Sequence, residues 1–427
     1  MATIAVLGTL DTKGREHAFV AERIRARGHA TILIDVGTGA EPAVTSDIPR
    51  RDVAAAGGID LAALMARGDR GECVTAMAEA APRLLERLAA EGRIHGVISL
   101  GGGGGTAIAT AAMRALPIGF PKLMVSTLAS GNTAPYVGTT DIAMLPAVVD
   151  VQGLNRISRT ILARAAGAIC GMVEADVTSG DEKPIVVASM FGNTTKCIEA
   201  AVPLLEAAGY EVLVFHATGT GGRAMESLIA SGMVAGVLDV TTTELADELV
   251  GGVLSAGPER LDAAAKHGVP AVVAPGCLDM VNFGERQTVP EQFARRTFYI
   301  HNPQVTLMRT TPEECTALGQ LVAAKVNASR GPVSVLIPRR GVSVISAEGG
   351  PFHHQHADAA LFGALEAGLR AGIPCTSLDC TINDPAFAQA CVAALLANMR
   401  GSRPGLPRPT TLSKPEAQAR ESTRSQS

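Results

Sequence analysis

The sequence predicts an α/β protein made of two Rossmann-like domains with mostly parallel sheets, the two related by an internal repeat. Three observations carry that prediction. Short apolar runs alternate with longer amphipathic stretches along the chain. Hydrophobic residues make up 47% of the 427, yet aromatics are only 3% and tryptophan is absent. Ala, Val, Leu and Gly must then fill the interior, which suits helices packed closely on sheets rather than a β-sandwich. Finally, the order of motifs in the first half returns in the second.

The first strand is IAVLG, residues 4–8, followed by an amphipathic stretch to Arg27 and a second strand, ATILIDV, at 30–36. A helical stretch, ECVTAMAEAAPRLLERLAAEG, leads into GVISL, which ends at Leu100. Five glycines then precede the helix-forming AIATAAMRAL. FPKLMVST, 120–127, is the next strand, and ISRTILARAAGAICGMVEA closes the first half as a helix. Strands separated by helix-length segments are expected to lie parallel, joined by crossovers.

The second half repeats this plan. IVVASMFGNTTKC answers IAVLGTLDTKG, and both second strands are followed by Gly-Thr-Gly. GVLDVTTTELAD (236–247) answers GVISLGGGGGTA (96–107), and PAVVAPG (270–276) answers PKLMVST (121–127). The expected division is 1–180 and 181–400, with the boundary in the polar stretch from Thr178 to Pro184. Residues 401–427, rich in Pro, Ser and charge without apolar periodicity, are expected to be a disordered tail.

Composition narrows the function. The net charge is −4 and no long basic run occurs in the folded region, so nucleic acid is not expected as a partner. The eight cysteines form no CxxC pair, which fits a reduced, cytoplasmic setting. Neither a signal peptide nor a membrane span is expected. There is no Gly-x-Ser-x-Gly elbow, no protein-kinase motif set, no Walker A lysine and no GxGxxG. The last absence counts against a dinucleotide-dependent oxidoreductase.

The most informative motif is Gly101-Gly102-Gly103-Gly104-Gly105-Thr106 at a strand-to-helix junction. Glycines let backbone approach a ligand closely, and a helix start aims free N–H groups and the helix dipole at one point, which suits a phosphate. The same run also reads as a flexible turn. In the first turn, Thr9, Asp11, Thr12 and Lys13 offer hydroxyls, a Mg²⁺-holding carboxylate and a cationic counter-charge; Asp11 or Thr12 equally reads as a helix cap. The fourth turn supplies Ser126, Thr127, Ser130, Gly131, Asn132 and Thr133, and further on Asp141, a second candidate Mg²⁺ ligand. Asp35 ends the second strand, where Rossmann folds place a ribose-binding acid.

In the second half Thr241-Thr242-Thr243-Glu244 replaces the glycines, so an acid stands where a phosphate would lie. His216, His301 and Arg309 are read as a small-anion or carbonyl site for an unknown small molecule. His353, His354 and His356 read either as metal ligands or as an exposed helix start.

GTLDTKG, SLGGGGGTA, STLASGNTAPYVGTTDI and ASMFGNTTKC together resemble the Tm-one-like ATP-binding domain family, over nearly the whole chain to about residue 400. The resemblance implies an ATP- and Mg²⁺-binding first domain, a second Rossmann-like domain and a homodimer. In plant relatives a TIM-barrel-like domain follows; here it would have to be a separate protein. The expected function is an ATP-using enzyme of small-molecule metabolism, and the alternative is an ATP-binding regulator or scaffold without turnover.

Overall fold

The computed structural model describes residues 1–176 and 182–401, and internal contacts divide them into two units near residue 178. The first runs β1 (Thr3–Gly8), α1 (Leu10–Arg25), β2 (Ala30–Asp35), α2 (Arg50–Ala56), α3 (Leu61–Ala66), α4 (Arg70–Ala90), β3 (Gly96–Gly101), α5 (Gly103–Arg114), β4 (Lys122–Ser126), α6 (Ala134–Val137), β5 (Ala143–Pro146) and α7 (Arg156–Glu174). Its strands lie in the order β2-β1-β3-β4-β5, and every neighbouring pair is parallel.

Burial explains the strand sequences. All of β3 is buried, because helices cover both faces of the sheet. Ile98 and Leu100 pack with residues of α1 and α7. Val97 points the other way, into a cluster with α4 and α5. At α7 a short polar side chain sets the helix start: Asn155 accepts from the N–H groups of Ile157 and Ser158 as a capping box.

The second unit runs β6 (Ile185–Met190), α8 (Thr195–Ala207), β7 (Glu211–His216), α9 (Thr220–Ala230), β8 (Val234–Thr241), α10 (Glu244–Val250), α11 (Ala263–His267) and β9 (Ala271–Gly276). It continues with β10 (Met280–Phe283), β11 (Phe298–Asn302), β12 (Val305–Arg309), α12 (Pro312–Asn327), β13 (Val333–Pro338), α13 (Gln355–Gly368), β14 (Cys375–Leu378) and α14 (Pro385–Gly401). Read from one edge, the main sheet is β7-β6-β8-β9-β13-β14, all parallel. This is the strand order of the first unit with one strand added, which is the internal repeat in three dimensions.

Two features were not legible in the hydrophobic pattern. β5 has no buried residue, too weak a signal beside a continuous apolar run. Between β9 and β13 the chain inserts an antiparallel ribbon, in the order β10-β12-β11. An apolar cluster of Phe191, Cys277, Met280, Leu307, Ile345 and Phe352 joins that ribbon to the end of β6 and the loop after β13. Residues 402–427, where the tail is expected, lie outside the described residues. Among the described residues no helix is long and apolar enough to cross a membrane.

Asp247 ties α10 to the ribbon. Its Oδ1 accepts from the Asn282 N–H at 2.8 Å and from Asn282 Nδ2 at 3.1 Å, and its Oδ2 accepts from the Leu254 N–H at 2.8 Å. Burial outweighs these bonds and pushes its pKa up to about 7 from 3.8. The native state therefore holds this proton more tightly than the unfolded chain. Its stabilising contribution is complete below the unfolded value and is lost as pH rises through the folded one. Asp247→Asn should flatten the fall in urea stability between pH 4 and pH 7 relative to the natural sequence. An unchanged pH slope in parallel denaturation curves would assign the proton elsewhere.

Candidate functional site

Parallel order places every strand's carboxyl end along one edge of the first sheet. The chain leaves β1 for β2 on one side and later returns to β3 on the other, so the crevice of an open α/β sheet opens between β1 and β3. β3 delivers Gly101–Gly105 there. Gly102 precedes α5 in an extended conformation, with φ −92° and ψ −156°, and no side chain caps the helix. The first helical bond runs from the Thr106 N–H to the Gly102 carbonyl at 2.8 Å. The N–H groups of Gly103, Gly104 and Gly105 have no helical acceptor.

None of the five glycines has a positive φ, so none is required by the turn. Each glycine inside the helix costs about 1 kcal/mol relative to alanine. Their effect is to leave the helix start bare. A Cβ on Gly103 would meet nothing within 4 Å, and one on Gly104 would meet only the Val74 side chain, at 3.3 Å.

The neighbouring turns carry the other residues singled out in the sequence. The buried hydroxyls of Thr106 and Ser126 bond each other at 2.7 Å, and Ser126 Oγ also accepts from the Leu128 N–H at 3.0 Å. They brace α5 against β4. Thr127 is exposed beside Gly102, whose Cβ would stand 3.7 Å from its Oγ1. Ser130, Gly131 and Asn132 are exposed and Thr133 is half-buried; Asn132 Oδ1 accepts from the Ala134 N–H at 3.1 Å. Thr9 and Thr12 pair their hydroxyls at 3.1 Å.

The charged residues of the first turn are more committed than the sequence implies. Lys13 Nζ donates to the Val151 carbonyl at 2.5 Å, so its charge fastens the loop after β5. Asp35 is buried, and its Oδ1 accepts from the N–H groups of Leu10 at 3.1 Å and Gly37 at 2.9 Å; burial raises its pKa. Asp35 thus joins the ends of β1 and β2. Asp11 Oδ2 accepts from the Gly39 N–H at 2.7 Å and so holds the Gly-Thr-Gly turn. Its Oδ1 is buried with no partner. Asp141 is not brought to this edge. It bonds the Lys122 Nζ at 2.6 Å and the Gly119 N–H at 2.8 Å, where β4 begins rather than where it ends, because α6 carries the chain back along the sheet.

Among the described residues of this unit three buried polar side-chain atoms lack a hydrogen-bond partner, and all lie near the ends of β1 and β3: Asp11 Oδ1, His17 Nε2 and Ser99 Oγ. His17 lies against Gly8, where a Cβ would stand 1.8 Å from its Nε2. Desolvation lowers its pKa to about 4, so the ring is neutral at pH 7.

In the second unit the start of α9 is covered by the protein's own charges. Glu244 Oε1 accepts from the N–H groups of Gly219 at 2.6 Å and Gly222 at 3.0 Å, at the start of α9. Its Oε2 accepts from Arg260 Nε at 2.6 Å. Arg260 is fully buried and also donates to Asp239 at 2.5 and 2.7 Å and to Glu226 at 3.2 Å. A carboxylate therefore sits on a helix N-terminus, held by a guanidinium that three acids surround.

His216, His301 and Arg309, expected as a small-anion or carbonyl site, each have partners of their own. His216 stacks on Phe191 with centroids 5.4 Å apart. His301 lies on the exposed strand β11 beside Tyr299. Arg309 is buried, pairs with Asp358 and donates to the Phe352 carbonyl at 2.9 Å. Arg309 is committed inside the unit, and each residue touches a different group around the ribbon. His354 accepts from the Ala357 N–H and starts α13, while His353 Nδ1 lies 3.3 Å from the Ser346 carbonyl oxygen. Among the described residues no three His, Cys, Asp or Glu side chains converge as metal ligands do.

Comparison with known proteins settles kinship. Residues 2–178 match the N-terminal domain, and 183–399 the C-terminal domain, described as Uncharacterised protein family (UPF0261). The chain belongs to the UPF0261 family. It is 50% identical over 398 residues to a UPF0261 protein of Clostridium tetani, covering 93% of this chain and 98% of that one. It is 39% identical over 413 residues to the ToMV resistance protein Tm-1(GCR237) of Solanum lycopersicum, covering 91% of this chain and 55% of that one. Among solved structures, a UDP-GlcNAc 2-epimerase of Methanocaldococcus jannaschii aligns over 64% of this chain and 83% of that chain, with 8% identity and a TM-score of 0.22, too low to carry an argument.

Arg260 escaped the sequence reading because a single arginine in a polar loop carries no pattern. The repeated Gly-Thr-Gly was the available signal: each copy wraps a carboxylate, Asp11 in one unit and Glu244 in the other. Glu244→Ala should cost about 3–5 kcal/mol by leaving Arg260 short of a partner. Formate or acetate should then raise the melting temperature of the variant more than sodium chloride of equal ionic strength. Equal responses would show that no anion seat exists there.

Proposed function

We propose that the first unit binds ATP with Mg²⁺ at the carboxyl edge of its sheet, as part of a cytoplasmic enzyme of small-molecule metabolism acting with a separate TIM-barrel-like protein. The observation that carries this reading is the bare start of α5: three N–H groups without a helical acceptor, no capping side chain and glycines that no backbone angle demands. Such a helix start suits a phosphate. Thr9, between β1 and α1, Thr12, in the first turn of α1, and Thr127, just after β4, carry hydroxyls at the carboxyl ends of these strands and are suited to bond phosphate oxygens.

The residues also fit the metal in part. Asp11 presents a buried, unpartnered Oδ1, a hard oxygen of the kind that holds Mg²⁺ directly or through water. Asp141 does not fit, since it is paired to Lys122 at the other end of β4. Bound Mg²⁺ would offset phosphate charge. The protein's own part would be to hold the phosphates by backbone donors and to fix their approach.

One observation favours the second reading, ATP binding by a regulator without turnover. Phosphoryl transfer depends on positioning and charge neutralisation, and Lys13, the cation of the first turn, is engaged with the Val151 carbonyl.

Substitution at Gly103 separates fold from ligand. Gly103→Ala should fold and gain up to about 1 kcal/mol, because alanine is the better helix former and its Cβ meets nothing within 4 Å. Gly103→Val should fold and lose ATP binding by about tenfold or more in calorimetric titration with Mg²⁺, a loss of about 1.4 kcal/mol. Undiminished ATP affinity in Gly103→Val would place the nucleotide elsewhere, and no heat with the natural sequence at millimolar ATP would remove the reading. Phosphate release that accelerates with an added metabolite would favour the enzyme over the regulator.

A further inference from the structure

Val148 sits in a conformation that the protein by itself does not reward. Its φ is +64°, a region that a β-branched residue rarely enters. The Val149 N–H donates to the Ala147 carbonyl at 2.7 Å, which closes a three-residue turn around it, a rare and strained form when the central φ is positive. The side chain is 77% exposed, so apolar burial does not offset the strain.

The surroundings hold the turn in place. The Ala147 N–H donates to the Ser126 carbonyl at 3.0 Å. Lys13 Nζ grips the Val151 carbonyl at 2.5 Å, and Glu16 Oε1 accepts from the Gly153 N–H at 2.5 Å. Ala147 and Val151 are buried in the cluster shared with α1 and α7, whereas α5 packs on the opposite face of the sheet. The loop therefore rims the carboxyl edge across from the glycine run.

Register fixes how far apart they are. Gly101, Ser126 and Pro146 are partners across β3, β4 and β5. Gly102, Thr127 and Ala147 thus leave three adjacent strands side by side. At about 4.8 Å between strands, the Val148 turn lies on the order of 10 Å from the start of α5.

Strain that the surrounding structure over-determines clusters at ligand clamps. We propose that Val148, held strained and exposed two strands from the α5 start, makes an apolar contact with the base or ribose of a nucleotide whose phosphates lie on Gly103–Gly105. This rests on the phosphate reading of the α5 start and deepens it. A valine at that place favours a phosphorylated ligand that carries an apolar part, as a nucleotide does, over one that carries none.

The test compares ATP with inorganic tripolyphosphate, both with Mg²⁺, on the natural chain and on Val148→Gly and Val148→Asn. Both replacements tolerate positive φ, so melting temperatures should hold or rise. The natural chain should bind ATP more tightly than tripolyphosphate, and each variant should lose about tenfold in ATP affinity while keeping tripolyphosphate affinity within about twofold, the scale of one buried valine contact. Equal binding of ATP and tripolyphosphate by the natural chain, or variants that keep ATP affinity or lose both ligands together, would overturn the Val148 contact and leave the phosphate seat standing. Failure of the natural chain to bind either ligand would instead overturn the phosphate seat, and the contact with it.

Discussion

A helix that follows a strand in a parallel sheet starts at the sheet's carboxyl edge, and its first N–H groups find no acceptor within the helix. This constraint organises both units. Each sheet is wholly parallel along its main order, so several helix starts and their dipoles gather along one edge. Each needs a negative or polar group to face it.

The two units answer that need differently although they share a strand order. In the second, Glu244 supplies the anion to α9, Arg260 balances Glu244, and Asp239 and Glu226 balance Arg260. Gly222 is part of this arrangement, since a Cβ there would stand 2.1 Å from Glu244 Oε2. In the first, Asp35 and Asp11 serve the turns after β1 and β2, while α5 has no side chain before it. In the second unit the start of α9 is faced by the protein's own carboxylate; in the first the start of α5 is uncapped. That difference is the physical basis for looking to the first unit for a ligand.

Some of this was readable residue by residue. The runs IAVLG and GVISL announced buried strands because a strand covered on both faces must be continuously apolar. The substitution of Thr241-Thr242-Thr243-Glu244 for the glycines announced an acid in place of a phosphate. The acid does lie on a helix start, but on α9, one crossover earlier than the alignment implied. Lys13, Asp35 and Asp141 were singled out for their chemical type; what each faces depends on segments far along the chain. Lys13 meets Val151, and Asp141 meets Lys122. The strain at Val148 has no sequence signature, since valine is ordinary at a strand end.

The sequence by itself determined the class of fold, its two-fold repetition and the bare glycine backbone at one strand-to-helix junction, because periodicity and the absence of a Cβ are local properties. Tertiary structure alone decided which charged groups are still available to a ligand. An ionisable side chain takes whatever partner the fold brings within about 3 Å. Here the fold gave Lys13, Asp35, Glu244 and Arg309 partners of their own and left the N–H groups that open α5 without a helical acceptor.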